Sequence, residues 1–215
     1  MPENSERKFD KNRVKGLIEE LLIAIGEDPL RDGLVQTPAR VAEMFEELLS
    51  STNLKGESFL GSVFPASHEE MVLLRDISFF SLCEHHILPF FGDVHIAYIP
   101  NESGQIVGLS GIARLVDGLS RKLQVQERLT TEIANSIQES IKPKGVLVVV
   151  EAEHLCMSMR GTKKVGSRAV TSAVRGVFKR DGVTRSLGLG TISVRYSYSY
   201  LNSWVLHPGF ARTRP

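Results

Sequence analysis

Two short runs of the sequence hold both cysteines and three of the six histidines. They are SLCEHH at residues 81–86 and HLC at residues 154–156. Cys83 and His86 are three positions apart, so one turn of the chain can bring both side chains to a single ion. With Cys156 added, the pattern offers three protein ligands and leaves one position open. An open site of this kind is typical of catalytic zinc, so the sequence predicts Zn²⁺ as a cofactor.

The histidines that the metal does not need are candidates for proton transfer. His85 is next to the predicted ligand His86, and His154 is two residues from Cys156. Imidazoles beside an open metal position suit general acid–base chemistry near neutral pH. Two other interpretations of the cysteines stay open. One is a disulfide, which a cytosolic chain without a signal peptide rarely keeps, and the other is a pair of buried thiols that bind no metal.

Length and composition predict an ordinary soluble protein with one domain, or with one domain and a helical appendage. The 215 residues are 42% hydrophobic and 24% charged, and no apolar run approaches the ~20 residues that a membrane span needs. We therefore expect a cytoplasmic protein with no membrane partner. The charge is uneven, because residues 160–215 contain 11 Lys or Arg and one acidic residue. This excess favours an anionic partner, either a small substrate or nucleic acid.

Hydrophobic periodicity predicts an N-terminal helical region over residues 1–68. Apolar residues recur at helical spacing over 11–25, and a second helix begins at Thr37 and Pro38, with Thr37 as its N-cap. The two helices would form a hairpin, and their exposed apolar faces suggest a partner subunit. Residues 50–68 are predicted to be a connection.

Residues 69–185 are predicted to form a catalytic domain of the α+β class. Strands are expected over 71–82, 90–100 and 105–109, followed by a helix capped by Ser110 and another from about Val125. A long Val-rich strand over 145–160 would place His154, Cys156 and Arg160 on one face, because side chains alternate along a strand. A last helix is expected from about residue 167.

The remaining segment, residues 186–215, is an atypical tail. Apolar residues alternate with Ser and Arg from Ile192 to Tyr200, which is typical of an amphipathic strand, whereas the flanking Gly and Pro are typical of loose chain. An added edge strand and a disordered extension both fit this pattern. We assign the segment no chemistry.

Charged side chains indicate which substrate the site would hold. Glu127, at a predicted helix start, could accept two parallel N–H bonds from a guanine edge, although the helix dipole alone also stabilises an acid there. Ser110 and Arg114, at another helix start, could bind an anion together with backbone N–H groups. Arg160 lies four residues beyond Cys156 and could bind a polyphosphate. The sequence has no Gly-rich phosphate loop, so the phosphates would be held and not transferred.

These motifs resemble the GTP cyclohydrolase I family. The resemblance covers about residues 12–184 and depends on five runs: SLCEHH (81–86), AYIP (97–100), GLS (108–110), QVQERLT (124–130) and HLCMSMRG (154–161). It implies the tunnelling fold, an antiparallel sheet with helices on one face and an N-terminal helical hairpin, in which sheets join between subunits into a barrel. It also implies a homodecamer with active sites between subunits, GTP as the substrate, and no nucleic-acid partner.

The resemblance also implies a role for each candidate residue. The matching positions bind zinc (Cys83, His86, Cys156), transfer protons (His85, His154), hold guanine (Gln126, Glu127) and bind the triphosphate (Ser110, Arg114, Arg160, Arg40). The implied reaction is zinc-dependent hydrolytic opening of the guanine imidazole ring, release of formate, and cyclisation to 7,8-dihydroneopterin triphosphate. That product leads to folate or biopterin.

Gly111 departs from the pattern of the family. Relatives carry Lys at this position, so the sequence predicts a missing phosphate cation, and Gly111→Lys is expected to lower the half-saturation by GTP. Two other functions stay open. One is a relative without catalysis that serves as a nucleotide-binding or regulatory subunit, and the other is a zinc-stabilised nucleic-acid binder.

Overall fold

The N-terminal part of the chain forms the predicted helical hairpin. The structure, a computed structural model, describes residues 8–66 and 68–192. Helices α1 (Lys11–Ala24) and α2 (Thr37–Leu48) pack against each other. The Asp10 side chain accepts the Arg13 N–H and caps α1. The prediction of Thr37 as an N-cap is wrong, because Gln36 holds that position and makes no side-chain capping bond.

A five-stranded sheet organises the rest of the described chain. Its strand order is β5-β2-β3-β6-β7, and all neighbours are antiparallel except β5 and β2. The strands are β2 (Val72–Cys83), β3 (Pro89–Ile99), β5 (Leu123–Gln124), β6 (Gly145–His154) and β7 (Arg168–Gly176). A separate ribbon pairs β1 (Val63–Pro65) with β4 (Gln105–Val107). Together with the helices this confirms the α+β class, and the first three predicted strands are confirmed with slightly shifted ends.

The two faces of β6 explain its Val-rich sequence. Val146, Val148 and Val150 face the main core, which lies under α4 (Leu109–Ser120) and α5 (Gln126–Ile141). Leu147 and Val149 point to the other face of the sheet, where a second cluster includes Phe178 and Ile192. A strand buried on both faces carries a continuous apolar run in place of alternation.

Two predictions for the chain from β6 onward are wrong: the end of the strand itself and the type of the element that follows. The strand ends at His154, and α6 (Leu155–Ser158) follows, so Cys156 and Arg160 do not share a strand face with His154. The helix predicted from about residue 167 is a strand over residues 168–176, β7, and becomes helical only from Val177, in α7 (Val177–Arg180). The apolar residues here fit a helical stripe as well as a strand, and pairing with β6 along nine residues decides in favour of the strand.

The end of the described chain is helical. Residues 182–192 adopt helical geometry, and Ile192 is buried against the second face of the sheet. Neither alternative for the tail, an edge strand or a disordered extension, holds for residues 186–192, while the rest of the tail lies outside the described residues. Among the helices of the described ranges, none is long and apolar enough to cross a membrane.

A short helix, α3 (Glu57–Leu60), lies against α4 and α5 at three glycines. A Cβ atom at Gly56 would lie 1.9 Å from the Ser136 hydroxyl, at Gly111 2.0 Å from the Leu60 carbonyl oxygen, and at Gly118 2.6 Å from the Phe59 ring. We call Gly56, Gly111 and Gly118 the glycine seam. Gly111 thus faces the α3 backbone, so a lysine at this position requires α3 to move, and the effect of Gly111→Lys on GTP binding stays a prediction.

Gly111→Ala is expected to lower the free energy of unfolding by about 1–3 kcal/mol, because the Leu60 backbone must move to admit a methyl group. The matched control is Gly16→Ala in α1, where a Cβ would meet nothing within 4 Å. That substitution should raise stability by roughly 0.5–1 kcal/mol, since glycine is unfavourable inside a helix. Urea denaturation of both variants checks this, and equal stabilisation by both would show that the seam is not closely packed.

A buried histidine supports an irregularity in β2. The register of β2 and β3 shifts between Leu74 and Ile77, and Asp76 there has a left-handed φ of 58°. The Asp76 N–H donates to His95 Nδ1 over 3.1 Å. Burial lowers the pKa of His95, and the nearby carboxylates of Asp76, Asp93 and Glu151 oppose that shift only in part. The neutral ring is the form that can accept this hydrogen bond.

This arrangement predicts that acid weakens the fold. An unfolded histidine gains a proton near pH ~6.5, and the folded His95 does so only at lower pH, so stability should fall as the pH drops below about 6.5. His95→Phe keeps a ring but removes the acceptor. It should be less stable than the parent at pH 7.5 and should lose less stability than the parent between pH 7.5 and 5.5. Denaturant unfolding at both pH values measures this, and identical pH dependence would contradict it.

Candidate functional site

The turn between β2 and β3 presents the first histidine-rich run. The Cys83 N–H donates to the Leu88 carbonyl over 2.9 Å, and the Ile87 N–H donates to the Cys83 carbonyl over 2.8 Å. Cys83 is buried, whereas residues 84–87 are exposed. The turn therefore holds the Cys83 sulfur inside and places His85 and His86 at the surface.

Three potential metal ligands meet beside this turn. One atom each from Cys83, Cys156 and His154 lies within 4.8 Å of the other two, and both thiols are free. Two ligand atoms that share one tetrahedral zinc ion, each about 2.3 Å from the metal, lie roughly 3.8 Å from each other. Burial, followed by the neighbouring Cys83, raises the pKa of the Cys156 thiol. A cation would offset that effect, because thiolates are favoured beside positive charge.

The His154 ring is held from two sides. It stacks on Phe90 with ring centroids 4.8 Å apart and planes 5° from parallel. Its Nε2 lies 2.8 Å from the Gln126 side-chain oxygen. Burial lowers the pKa of His154, while the charge of Glu127 opposes that shift. The neutral ring is therefore favoured.

The orientation of the Gln126 amide decides which His154 nitrogen carries the proton. Gln126 is 2% exposed. Its Nε2 donates to the carbonyl oxygens of Val150 (2.9 Å) and Ala169 (3.0 Å) and also contacts the Thr171 hydroxyl. Since carbonyl oxygens only accept, the Gln126 oxygen must face the histidine and accept from Nε2–H. The neutral His154 ring then has its lone pair on Nδ1, which can bind an ion or take a proton.

Only some of the predicted zinc and acid–base residues lie close together in the structure. Cys83 and Cys156 come together as predicted, but His154 and not His86 supplies the nitrogen in the three-atom group. His85 Nδ1 lies 3.7 Å from the Cys83 sulfur. His86 lies on the exposed turn, and its role as a ligand stays a prediction.

The residues predicted to bind the substrate lie on several elements. Glu127 is exposed in the first turn of α5, but the side chain of its neighbour Gln126 is buried. The predicted phosphate contacts are all exposed, at the start of α4 (Ser110, Arg114), after α6 (Arg160) and on α2 (Arg40). Ser110 does not cap α4, whose N-cap is Gly108. The binding roles of these residues stay predictions.

Sequence reasoning missed two contacts of the site. One is the bond from His154 to Gln126, and the other is an ion pair between Glu84 and Arg128. Arg128 in the first turn of α5 also contacts Gln124, the last residue of β5, over 2.8 Å. Nothing in the spacing indicates that Arg128 reaches a turn 44 residues earlier.

Comparison with known proteins decides the family. Residues 14–193 match the family model described as GTP cyclohydrolase I. The chain belongs to the GTP cyclohydrolase I family. The match to the GTP cyclohydrolase I family extends beyond residue 184, where the resemblance was expected to end, and it includes the helical residues 182–192.

Several curated relatives support the GTP cyclohydrolase I assignment. GTP cyclohydrolase 1 of Thermobifida fusca is 54% identical over 184 residues, which cover 86% of this chain and 89% of the relative. The protein of the same name from Acetivibrio thermocellus is 54% identical, with coverage of 87% and 100%. That of Streptomyces coelicolor is 52% identical, with coverage of 87% and 93%. The similarity thus spans nearly the whole length of these proteins.

Replacing Gln126 should show how strongly its amide supports the GTP cyclohydrolase I site. Gln126→Leu leaves the Val150 and Ala169 carbonyls without this donor and His154 without its acceptor. We expect the free energy of unfolding to fall by about 1–3 kcal/mol in urea denaturation. The exposed neighbour provides a control, since Glu127→Gln should change stability by less than about 1 kcal/mol. Unchanged stability in Gln126→Leu would contradict the hydrogen-bond assignment.

Proposed function

We propose that this chain is a zinc-dependent GTP cyclohydrolase. It opens the guanine imidazole ring of GTP by hydrolysis, releases formate and forms 7,8-dihydroneopterin triphosphate. The observation that carries the proposal is the convergence of two free thiols and the His154 ring within 4.8 Å, in a chain of this family. The product is a pterin precursor, which suits folate or biopterin synthesis.

The donor atoms fit zinc. Two thiolate sulfurs and an imidazole nitrogen are the ligands that zinc prefers, and three of them leave a position for water or substrate. Cys83 and Cys156 would hold the ion, with His86 as the third ligand by its Cys-x-x-His spacing. When bound, zinc supplies Lewis acidity that activates water for hydrolysis at neutral pH.

His85 and His154 transfer protons in this proposal. The Gln126 acceptor and the Phe90 stack hold the neutral His154 ring, and its Nδ1 can take a proton. His85 is exposed on the turn beside Cys83 and can donate a proton to the guanine ring nitrogen next to the carbon that is attacked. Ring opening needs such transfers because the departing nitrogen must be protonated.

The base and the phosphates are bound by different elements. Glu127 accepts the two N–H groups of the guanine edge, which adenine lacks. Gln126 contributes its backbone N–H, which a residue in the first turn of a helix does not use within that helix. The triphosphate is anchored by exposed polar and cationic side chains on three elements (Ser110, Arg114, Arg160, Arg40).

The tunnelling fold and a closed homodecamer complete the proposal. Within the described chain, β5 pairs with β2 only at Leu82 and Cys83, so most of that edge of β2 carries no strand. An open strand edge presents unpaired N–H and C=O groups that can pair with a strand of another chain. Pairing between subunits would join the sheets into a barrel and place the sites between subunits.

Incubation of the protein with GTP and zinc tests this function. Formate and, after oxidation, a fluorescent pterin should appear together. Cys156→Ser should lose most of the zinc and all turnover, because it removes one of three ligands. GTP binding by the parent protein without formate release would instead indicate a relative that has lost catalysis.

Variants of the three histidines separate metal binding from proton transfer. His86→Ala should lose zinc, whereas His85→Ala and His154→Ala should keep it and lose ~10²-fold or more in kcat. Zinc content by metal analysis, measured beside steady-state rates, gives the answer. Loss of zinc in His154→Ala with retention in His86→Ala would make His154 the third ligand, as its proximity to the sulfurs suggests.

A further inference from the structure

The turn that carries His85 and His86 is joined to the start of α5 by a pair of contacts. The Glu84 N–H donates to the Gln124 carbonyl over 3.0 Å. The Glu84 carboxylate also accepts from the Arg128 guanidinium in a salt bridge. Glu84 is therefore linked through both its backbone and its side chain to the segment that leads into α5.

Arg128 is itself held in place by further hydrogen bonds. Its Nε donates to the Gln124 side-chain oxygen over 2.8 Å, and its Nη2 also donates to the Leu123 carbonyl over 3.2 Å. Gln124 is fully buried, and its amide donates to Glu132 over 2.8 Å. Lys122 completes the network by an ion pair of 2.9 Å with the same Glu132 oxygen. A planar guanidinium with several fixed partners has one orientation.

Two backbone hydrogen bonds between Cys83 and residues 87–88 close the turn, but its histidine side chains lie at the surface. Residues 84–87 are exposed, and Ile87 adopts a left-handed φ of 55°, which is unfavourable for a β-branched residue. Arg128 lies directly after Glu127, the predicted guanine ligand, on the same helix. The Glu84–Arg128 contact therefore links two parts of the site. One is the turn that carries the predicted proton-transfer and metal residues, and the other is the helix that would bind the base.

We propose that Glu84 and Arg128 are positioning residues, which hold the His85–His86 turn in a fixed orientation to Glu127. The inference rests on the proposed function, because it concerns the geometry between a metal-side turn and a bound guanine. Neither side chain takes part in the reaction. Their effect is on the alignment of the reacting atoms, to which rates are sensitive at a displacement of about 1 Å.

An ordinary surface ion pair would behave differently. The Glu84 and Arg128 side chains are 38% and 42% exposed, and pairs at such exposure contribute little to folding. Loss of the pair in Glu84→Ala should therefore leave the melting temperature within about 2–4 °C of the parent value. Arg128→Met also removes the donor to the buried Gln124 oxygen, so a larger fall in Tm is expected for that variant. A large loss of kcat in a variant whose Tm stays near the parent value would indicate positioning and not general stabilisation.

The test compares Glu84→Ala, Arg128→Met and the double variant as zinc-loaded, assembled proteins. Each single variant should lower kcat about 10- to 100-fold and accelerate zinc release to a chromogenic chelator, as expected for residues that orient metal ligands. The KM for GTP should stay at the parent value. The double variant should be no worse than the more impaired single variant, because both changes break the same link.

Two further variants sharpen the comparison. Arg128→Lys keeps the charge but cannot bond Gln124, Leu123 and Glu84 together, so it should remain impaired. The matched control is Arg31→Met, which removes the Arg31–Glu27 ion pair with similar side-chain exposures of 50% and 44%. This control should retain the parent values of kcat, zinc release and Tm.

Several outcomes would overturn the inference. These are unchanged kcat and zinc release in both single variants, additive losses in the double variant, a rise in KM alone, or a fall in Tm that accounts for the lost activity. Failure of the proposed function gives a different result, since the parent protein itself would then release no formate. The zinc-release rates of parent and variants still report on the Glu84–Arg128 link in that case.

Discussion

One buried amide holds together the parts on which the site depends. The Gln126 side chain donates to carbonyl groups on two adjacent strands, β6 and β7, and accepts from His154 at the end of β6. It belongs to the first residue of α5. A helix, two strands and an imidazole are therefore set in one arrangement by a group that has no other orientation available. Buried polar networks of this kind stabilise a fold only when every member is satisfied.

The same arrangement explains why the site lies at this end of the sheet. The turn after β2 and the end of β6 meet because β3 pairs with both strands, and Phe90 lies opposite His154 in the register. Cys83 and Cys156 are thus brought together by hydrogen bonds along β3 and not by any local contact. The candidate ligands come from two chain segments that are distant in the sequence, and the pairing of β3 with both β2 and β6 sets the distance between them.

Much of the fold was predictable from the sequence, because its longer elements have a single consistent period. The N-terminal hairpin, α4, α5 and the β2–β3 pair follow from apolar spacing. The Cys and His runs indicated that Cys83 and Cys156 would meet, but the nitrogen that joins them belongs to His154 and not to the predicted ligand His86. Residues 168–176 were mispredicted because their short apolar pattern fits two periods. The end of β6 was mispredicted because the Cys156 turn has no Gly or Pro to mark it.

The remaining features depend on contacts between distant segments, which no local pattern reports. The Gln126 amide is an example, because a glutamine beside a glutamate at a helix start suggests a surface ligand, and only the packing of β6 and β7 around it shows that it is buried. The same holds for Gly111, which resembles a missing cation until α3 is placed against it. In both cases the residue type was suggestive, and its surroundings decided its role.

The glycine seam has a consequence for how this chain can change. The side of α4 that α3 covers cannot gain a side chain at residue 111 while the α3 backbone keeps its path, since the obstacle is a main-chain carbonyl and not a movable side chain. Replacements at residue 111 are therefore conditional on the connection over residues 50–68, an example of epistasis with a steric origin. Any redesign that adds charge to this turn of α4 would have to reroute that connection first.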